Sequence, residues 1–198
     1  MSHYVNDTVI EAKPDNVKKN VATSKDIKQN VTSAEPNLEP LSGSNWLNDI
    51  IINEYNSLLM NKFTDVFVFS TYFSQSFFTL NRDYENLKGY TKSKDIFECR
   101  IVFFPLLEHS HWFVAVYEIK NNDFYILDPY TGDQPVENTI NEHLMRLEKI
   151  ETYYLKKHYE IKKQKEWTEA SRRVYMPPNI PEQVDGHNCG VFLLEFTR

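Results

Sequence analysis

From residue 42 onward the apolar and polar positions fall into blocks with distinct periods. In "SGSNWLNDIIINEYNSLL", Leu47, Ile50, Ile51, Leu58 and Leu59 recur at helical spacing, and Ser44 or Asn45 supplies an N-cap. Trp46, Asp49 and Asn53 lie three and four apart on a neighbouring stripe. "VFVFSTYF" reads as a strand entering a turn, and "YENLKGYTKSKD" as a polar loop. "IFECRIVFFPLL" is rich in β-branched and aromatic residues and predicts a strand, with Pro105 near its end and Cys99 within it as a small buried hydrophobe. "HWFVAVYEI" alternates, and "KNND" after it is a hairpin signal, so residues 111–119 and 123–128 are expected to pair antiparallel. In "NTINEHLMRLEKIETYYLKKHYEIKKQ", Ile140, Leu144 and Leu147 are at helical spacing with charges opposite, which predicts one or two amphipathic helices. "MPPNIP" then breaks the chain before "QVDGHNCGVFLLEFTR", whose apolar run predicts a short buried helix beginning near Cys189. The order implies an α+β domain, an antiparallel sheet with helices on its faces.

Residues 1–40 do not share this patterning. They hold a single aromatic, Tyr4, and three prolines among Lys, Asp, Asn and Ser. Such a segment buries too little apolar surface to offset the entropy of ordering it, so a disordered tail over 1–40 and a folded domain over 41–198 are expected. The net charge of -6, without a long basic run, makes nucleic acid and anionic membrane poor partners. Neither a signal-peptide pattern nor an apolar run of membrane-spanning length is present in the sequence. Two cysteines do not make a disulfide framework, which points to a reducing compartment, nucleus or cytoplasm; a monomer is expected.

The placement of Cys189 brings in chemistry. A thiol at the first turn of a helix meets the free N–H groups and partial positive charge that favour its thiolate, and an imidazole can take its proton. Of the six histidines, His3 lies in the tail, His143 and His158 are expected to be solvated on the charged helices, and His187 sits on the loop before Cys189. His109 and His111 flank the start of a strand, where a histidine is ordinarily a surface or packed residue. Asp128 changes that reading, because it ends the hairpin partner strand and would lie beside His111. A carboxylate there can hold one ring nitrogen while the other faces a thiol. Gln183 can offer a side-chain amide to an oxyanion beside the backbone N–H groups at Cys189, or be merely a loop glutamine. His109 and His111 lack a second ligand pair at suitable spacing, so no metal and no cofactor are expected. Trp46, taken alone, reads as a core aromatic at a helix start.

The segments "HWFVAVYEIKNNDFYILDPY" and "PEQVDGHNCGVF", in this order, resemble the ubiquitin-like-protein-specific cysteine protease family, Ulp1 and the sentrin-specific proteases. "WLNDIIINEY" resembles that family's substrate-facing first helix, and "STYF" and "KDIFECRIVFFPLLEHSHW" are similar to further segments, so the likeness covers residues 42–198. The His, Asp, Cys order differs from the Cys-first order of papain-like enzymes. The resemblance implies an Ulp1-type variant of the papain-like fold and a thiol protease or isopeptidase cutting after the C-terminal Gly-Gly of a ubiquitin-like modifier. SUMO is the first expectation, with NEDD8 or ubiquitin as alternatives. It implies His111 as general base, Asp128 as its orienter, Cys189 as nucleophile and Gln183 as oxyanion donor. It also implies that Trp46 and Trp112 line a tunnel for the diglycine tail and that Asp49 helps grip the modifier. Three departures stand out: Asn188 where the family usually has Asp, Asp185 where it often has Asn, and only nine residues after Cys189, a C-terminally short domain. An acyltransferase using the same triad and a non-catalytic modifier-binding module are the alternatives. The Trp pair argues against the first, and the complete triad against the second.

Overall fold

The structure is a computed structural model that describes residue 41 and residues 45–130, 136–168, 173–177 and 179–198, with the side chains of 136–138 excepted. The expected tail over 1–40 lies outside the described residues. The described chain runs α1 (Asp49–Lys62), β1 (Val66–Val68), α2 (Thr71–Ser74) with a π-helical turn (Gln75–Thr79), α3 (Tyr84–Leu87), β2 (Ile101–Glu108), β3 (His111–Glu118), β4 (Asp123–Leu127), α4 (Val136–Ile150), a second π-helical turn (Glu151–Leu155), α5 (Lys156–Lys163), β5 (Arg173–Tyr175) and α6 (Cys189–Thr197).

The strands form one sheet in the order β1-β2-β3-β4-β5. Its centre is antiparallel, with Glu108 opposite His111 at one hairpin and Glu118 opposite Asp123 at the next. The first hairpin turns through only His109 and Ser110, at φ 46° and 65°. Positive φ at both central residues belongs to a type I′ turn, whose twist matches the flanking strands. The two edge strands pair parallel, β1 with β2 and β4 with β5, so the sheet is mixed where the sequence predicted antiparallel pairing alone. Parallel neighbours need long crossovers, here supplied by α2 with α3 and by α4 with α5. Each edge strand is only three residues long, too short to show a period in the sequence. Pro105 is tolerated because β1 pairs with β2 only as far as Phe103, and the Pro105 carbonyl accepts the Ser74 hydroxyl.

Alternation along β3 feeds two cores. Phe113, Ala115 and Tyr117 pack with Phe104, Leu147, Ile150 and Tyr154, whereas Trp112, Val114 and Val116 pack with Leu47, Ile51, Ile52, Cys189 and Leu193. Helices therefore cover both faces, and each fully buried side chain contributes about 1.5–3 kcal/mol.

Three expectations need correction. Helix α1 starts later than predicted, because Asn48 caps it by accepting the Ile51 N–H at 3.0 Å. That start turns Ile51, Ile52, Asn56 and Leu59 inward and leaves Ile50 and Leu58 exposed. Cys99 is buried as expected, but it sits just after a one-turn 3-10 helix (Ile96–Glu98) and before β2. His143 and His158 are buried, not solvated. The inward stripe runs His143, Leu147, Ile150, Tyr154 and His158; it shares Leu147 with the apolar positions of the sequence reading, whereas Ile140 and Leu144 are half-buried at its side. His158 bonds Tyr84 Oη at 2.9 Å and Thr91 Oγ1 at 3.2 Å, and burial lowers its pKa. No helix among the described residues is long and apolar enough to cross a membrane.

Candidate active site

The start of β3, the end of β4 and the start of α6 come together. The tight His109–Ser110 turn fixes where β3 begins, and His111 is its first residue. Asp128 follows the last residue of β4, diagonal to His111 in the antiparallel register. His111 Nε2 and Asp128 Oδ1 are 2.6 Å apart, and the same oxygen accepts the Tyr130 N–H at 3.0 Å. Asp128 Oδ2 accepts from His143 Nε2 at 3.0 Å.

Cys189 is the first residue of α6 and is 3% exposed. It sits in the core cluster that holds Trp112, on the face of β3 opposite Phe113, and meets His111 at the strand's end. With Nε2 on Asp128, Nδ1 of His111 is left for the sulfur. Burial pushes the Cys189 thiol up, but the His111 ring, the Trp112 N–H and the Gly190 N–H outweigh it and bring the thiol below its usual range. Burial alone would lower His111, yet Asp128 and Cys189 raise it to about 9. Burial also opposes the Asp128 charge, and the donors His111, His143 and Tyr130 take the carboxyl down to about 2. A lowered thiol beside a raised imidazole favours a thiolate–imidazolium pair. Cys99 is its counterpart, with burial pushing the thiol up.

The loop before Cys189 is organised by Asp185. Its Oδ1 accepts the N–H groups of His187 and Asn188, each at 2.9 Å, and its Oδ2 accepts Asn188 Nδ2 at 2.6 Å. These bonds, the His187 N–H foremost, lower Asp185 to about 2. Asn188 therefore occupies the N-cap position of α6 without a side-chain cap bond. The two departures noted in the sequence, Asp185 and Asn188, are partners of each other. The Gln183 N–H donates to the Pro129 carbonyl at 2.7 Å, tying this loop to the end of β4. Its side-chain Nε2 donates to the Asp185 carbonyl at 2.6 Å and makes a longer contact to Asp185 Oδ1 at 3.4 Å. Gly190 lets α6 approach closely, since a Cβ there would lie 2.7 Å from Leu47 Cβ.

A cleft of about 460 Å³ is lined by Trp46, Asp49, Tyr72, Leu107, Ser110 and Trp112, the last two being the chain neighbours of His111. Trp46 is 49% exposed and is not a core aromatic, whereas Trp112 is 5% exposed and donates Nε1–H to the Leu47 carbonyl at 3.1 Å. Asn53 pins one wall by bonding the Thr71 hydroxyl at 2.8 Å and the Thr71 N–H at 2.9 Å.

Residues 45–198 match the model of the Ulp1 protease family, C-terminal catalytic domain. The chain belongs to that family. It is 27% identical over 169 residues to human (Homo sapiens) sentrin-specific protease 2, covering 80% of this chain and 26% of the relative. It is 30% identical over 166 residues to the Caenorhabditis elegans sentrin-specific protease, covering 80% and 22%. The chain thus spans about a quarter of the length of these curated relatives. The solved C-terminal Ulp1 protease domain in complex with Smt3, the yeast ortholog of SUMO, superposes with a TM-score of 0.62 at 20% identity, covering 81% of this chain and 67% of that one. The fold is that of Ulp1.

Within this Ulp1-type domain, sequence reasoning missed His143 and the organising role of Asp185. His143 carried a signal, since it lies four residues before the buried Leu147 on one helical stripe. The Asp185 role rests on a loop conformation with no period to read.

Proposed function

We infer that this Ulp1-family domain is a cysteine peptidase acting after the C-terminal Gly-Gly of a SUMO-like modifier. The observation that carries the reading is the convergence of Cys189, His111 and Asp128 beside a cleft flanked by Trp46 and Trp112. The Cys189 thiolate attacks the carbonyl carbon of the terminal glycine, and the His111 imidazolium gives its proton to the departing amine. Water then adds to the thioester, His111 takes its proton, and the modifier leaves as a carboxylate. The backbone N–H of Cys189 and the Gln183 amide, whose second hydrogen has only a long 3.4 Å contact to Asp185 Oδ1 to give up, supply oxyanion donors. Asp128 keeps the ring oriented and supports its charge. Trp46 and Trp112 hold the tail, where the flanking indoles leave room for glycine backbone and not for side chains. Asp49, at the rim of the same cleft, grips the modifier.

SUMO is preferred over NEDD8 and ubiquitin because the relatives named above are sentrin-specific proteases and the solved Ulp1 domain is in complex with Smt3. The test is hydrolysis of SUMO, NEDD8 and ubiquitin carrying a C-terminal aminocoumarin. The expected kcat/KM for SUMO exceeds the others by about tenfold or more, corresponding to about 1.4 kcal/mol in the transition state. Equal rates on all three would remove the SUMO assignment, and release by the Cys189→Ala variant would remove the mechanism.

A further inference from the structure

We propose that His143 is a positioning residue for the catalytic carboxylate, a second imidazole that locks Asp128 in the orientation His111 needs. This rests on the triad reading above and adds a residue that its three members do not include.

The argument starts from what holds a carboxylate still. Asp128 Oδ1 takes both His111 Nε2 and the Tyr130 N–H, at 2.6 and 3.0 Å. Both donors sit on one oxygen, and Tyr130 belongs to the segment that carries Asp128 itself. Bonds to a single oxygen resist rotation about Cβ–Cγ less firmly than bonds to both. The bond to Oδ2 comes from His143, on a different element, at 3.0 Å. Two oxygens held from β3 and α4 fix the rotation more tightly than one oxygen alone.

The His143 ring is itself immobilised. It is 5% exposed and packs against Phe113, with ring centroids 4.5 Å apart. Its Nδ1 is buried without a hydrogen-bond partner among the described residues. A buried N–H with no acceptor is rarer and costlier than a buried lone pair with no donor, so the hydrogen belongs on Nε2, aimed at Asp128. The arrangement parallels the outer partners that orient metal-bound ligands, where a second hydrogen bond fixes the ring or carboxylate that does the chemistry. His143 touches neither thiol nor substrate in this scheme and acts only through Asp128. Its bond is also among those that lower the Asp128 pKa.

The full chain decides this with a readout that needs no modifier, the rate at which iodoacetamide alkylates Cys189 at about pH 6.5, where thiolate content sets the rate. Glutamine places an amide nitrogen near the position of Nε2, whereas asparagine places it near Nδ1, too short to reach Asp128. His143→Gln should stay within about twofold of the parent, and His143→Asn and His143→Leu should slow alkylation about three- to tenfold. In an Asp128→Ala background the same changes should cost less than about twofold, because the carboxylate through which His143 acts is gone. Equal rates for Gln and Asn, or an undiminished loss in the Asp128→Ala background, would overturn the proposal and leave a packing role. Turnover of SUMO-aminocoumarin is measured alongside, with kcat expected to fall in the Asn variant while KM holds. An unreactive SUMO substrate with an intact alkylation pattern would count against the modifier reading and in favour of the His143 role.

Discussion

Cys99 and Cys189 are buried to nearly the same degree, 5% and 3% exposed, yet their thiols are pushed in opposite directions. Burial raises Cys99, while at Cys189 the His111 ring and two backbone N–H groups overcome it. Alkylation at about pH 6.5 should therefore label Cys189 at least about tenfold faster than Cys99, as read by peptide mass spectrometry. Comparable labelling of both would contradict the electrostatic account. Activity should rise as Cys189 loses its proton, below the ordinary thiol range, and fall as His111 loses its own near pH 9. Asp128→Asn keeps the shape but removes the charge that supports the imidazolium. It should lower kcat by about a hundredfold or more and shift the alkaline limb to lower pH. A rate within tenfold of the parent would mean that His111 does not depend on Asp128.

Among the elements, α6 has the least freedom. Glycine inside a helix is ordinarily replaced by alanine with a gain of about 1 kcal/mol. At Gly190 the added Cβ would lie 2.7 Å from Leu47 Cβ, so the overpacking cost of about 1–3 kcal/mol outweighs that gain. Gly190→Ala should lower the melting temperature and also kcat/KM, because the helix carrying Cys189 must shift away from the segment carrying Trp46. A stabilised, fully active variant would contradict this. The same elements show how far the sequence could be read. The hairpin of β3 and β4 followed from alternation and turn residues, and it placed His111 near Asp128 before any coordinates. The apolar run after Cys189 likewise announced α6. The short parallel edge strands had no period to reveal them. The His109–Ser110 turn lacks the Asn-Gly or Asp-Gly signature, so the hairpin it closes was not read. On α1 the period was right and its phase was off, and on α4 the predicted Leu147 lies on the inward stripe while the histidine beside it was misplaced. Ile50 and Leu58 were turned inward and His143 outward, because charge flanking a residue says little about which face a tertiary contact buries.

At the scale of the whole molecule, two cores lie on opposite faces of one mixed sheet, and the candidate chemistry sits where they meet at its end. His111 and Asp128 extend from the strands, Cys189 comes from the helix on one face, and His143 from a helix on the other. Rigid elements on both sides thus set distances that catalysis needs to within a fraction of an ångström. In the proposed function, the cleft lined by Trp46 and Trp112 is what selects a diglycine tail. The central claim joins these parts: the Cys189 thiolate attacks a carbonyl delivered through that cleft. Its most direct test is a SUMO protein bearing a C-terminal electrophile after Gly-Gly, compared with the same probe after Ala-Ala, with the adduct site mapped by mass spectrometry. The account predicts one adduct, on Cys189, formed about a hundredfold faster with Gly-Gly than with Ala-Ala and lost on His111→Ala. Labelling of Cys99, or equal rates with the two tails, would contradict it.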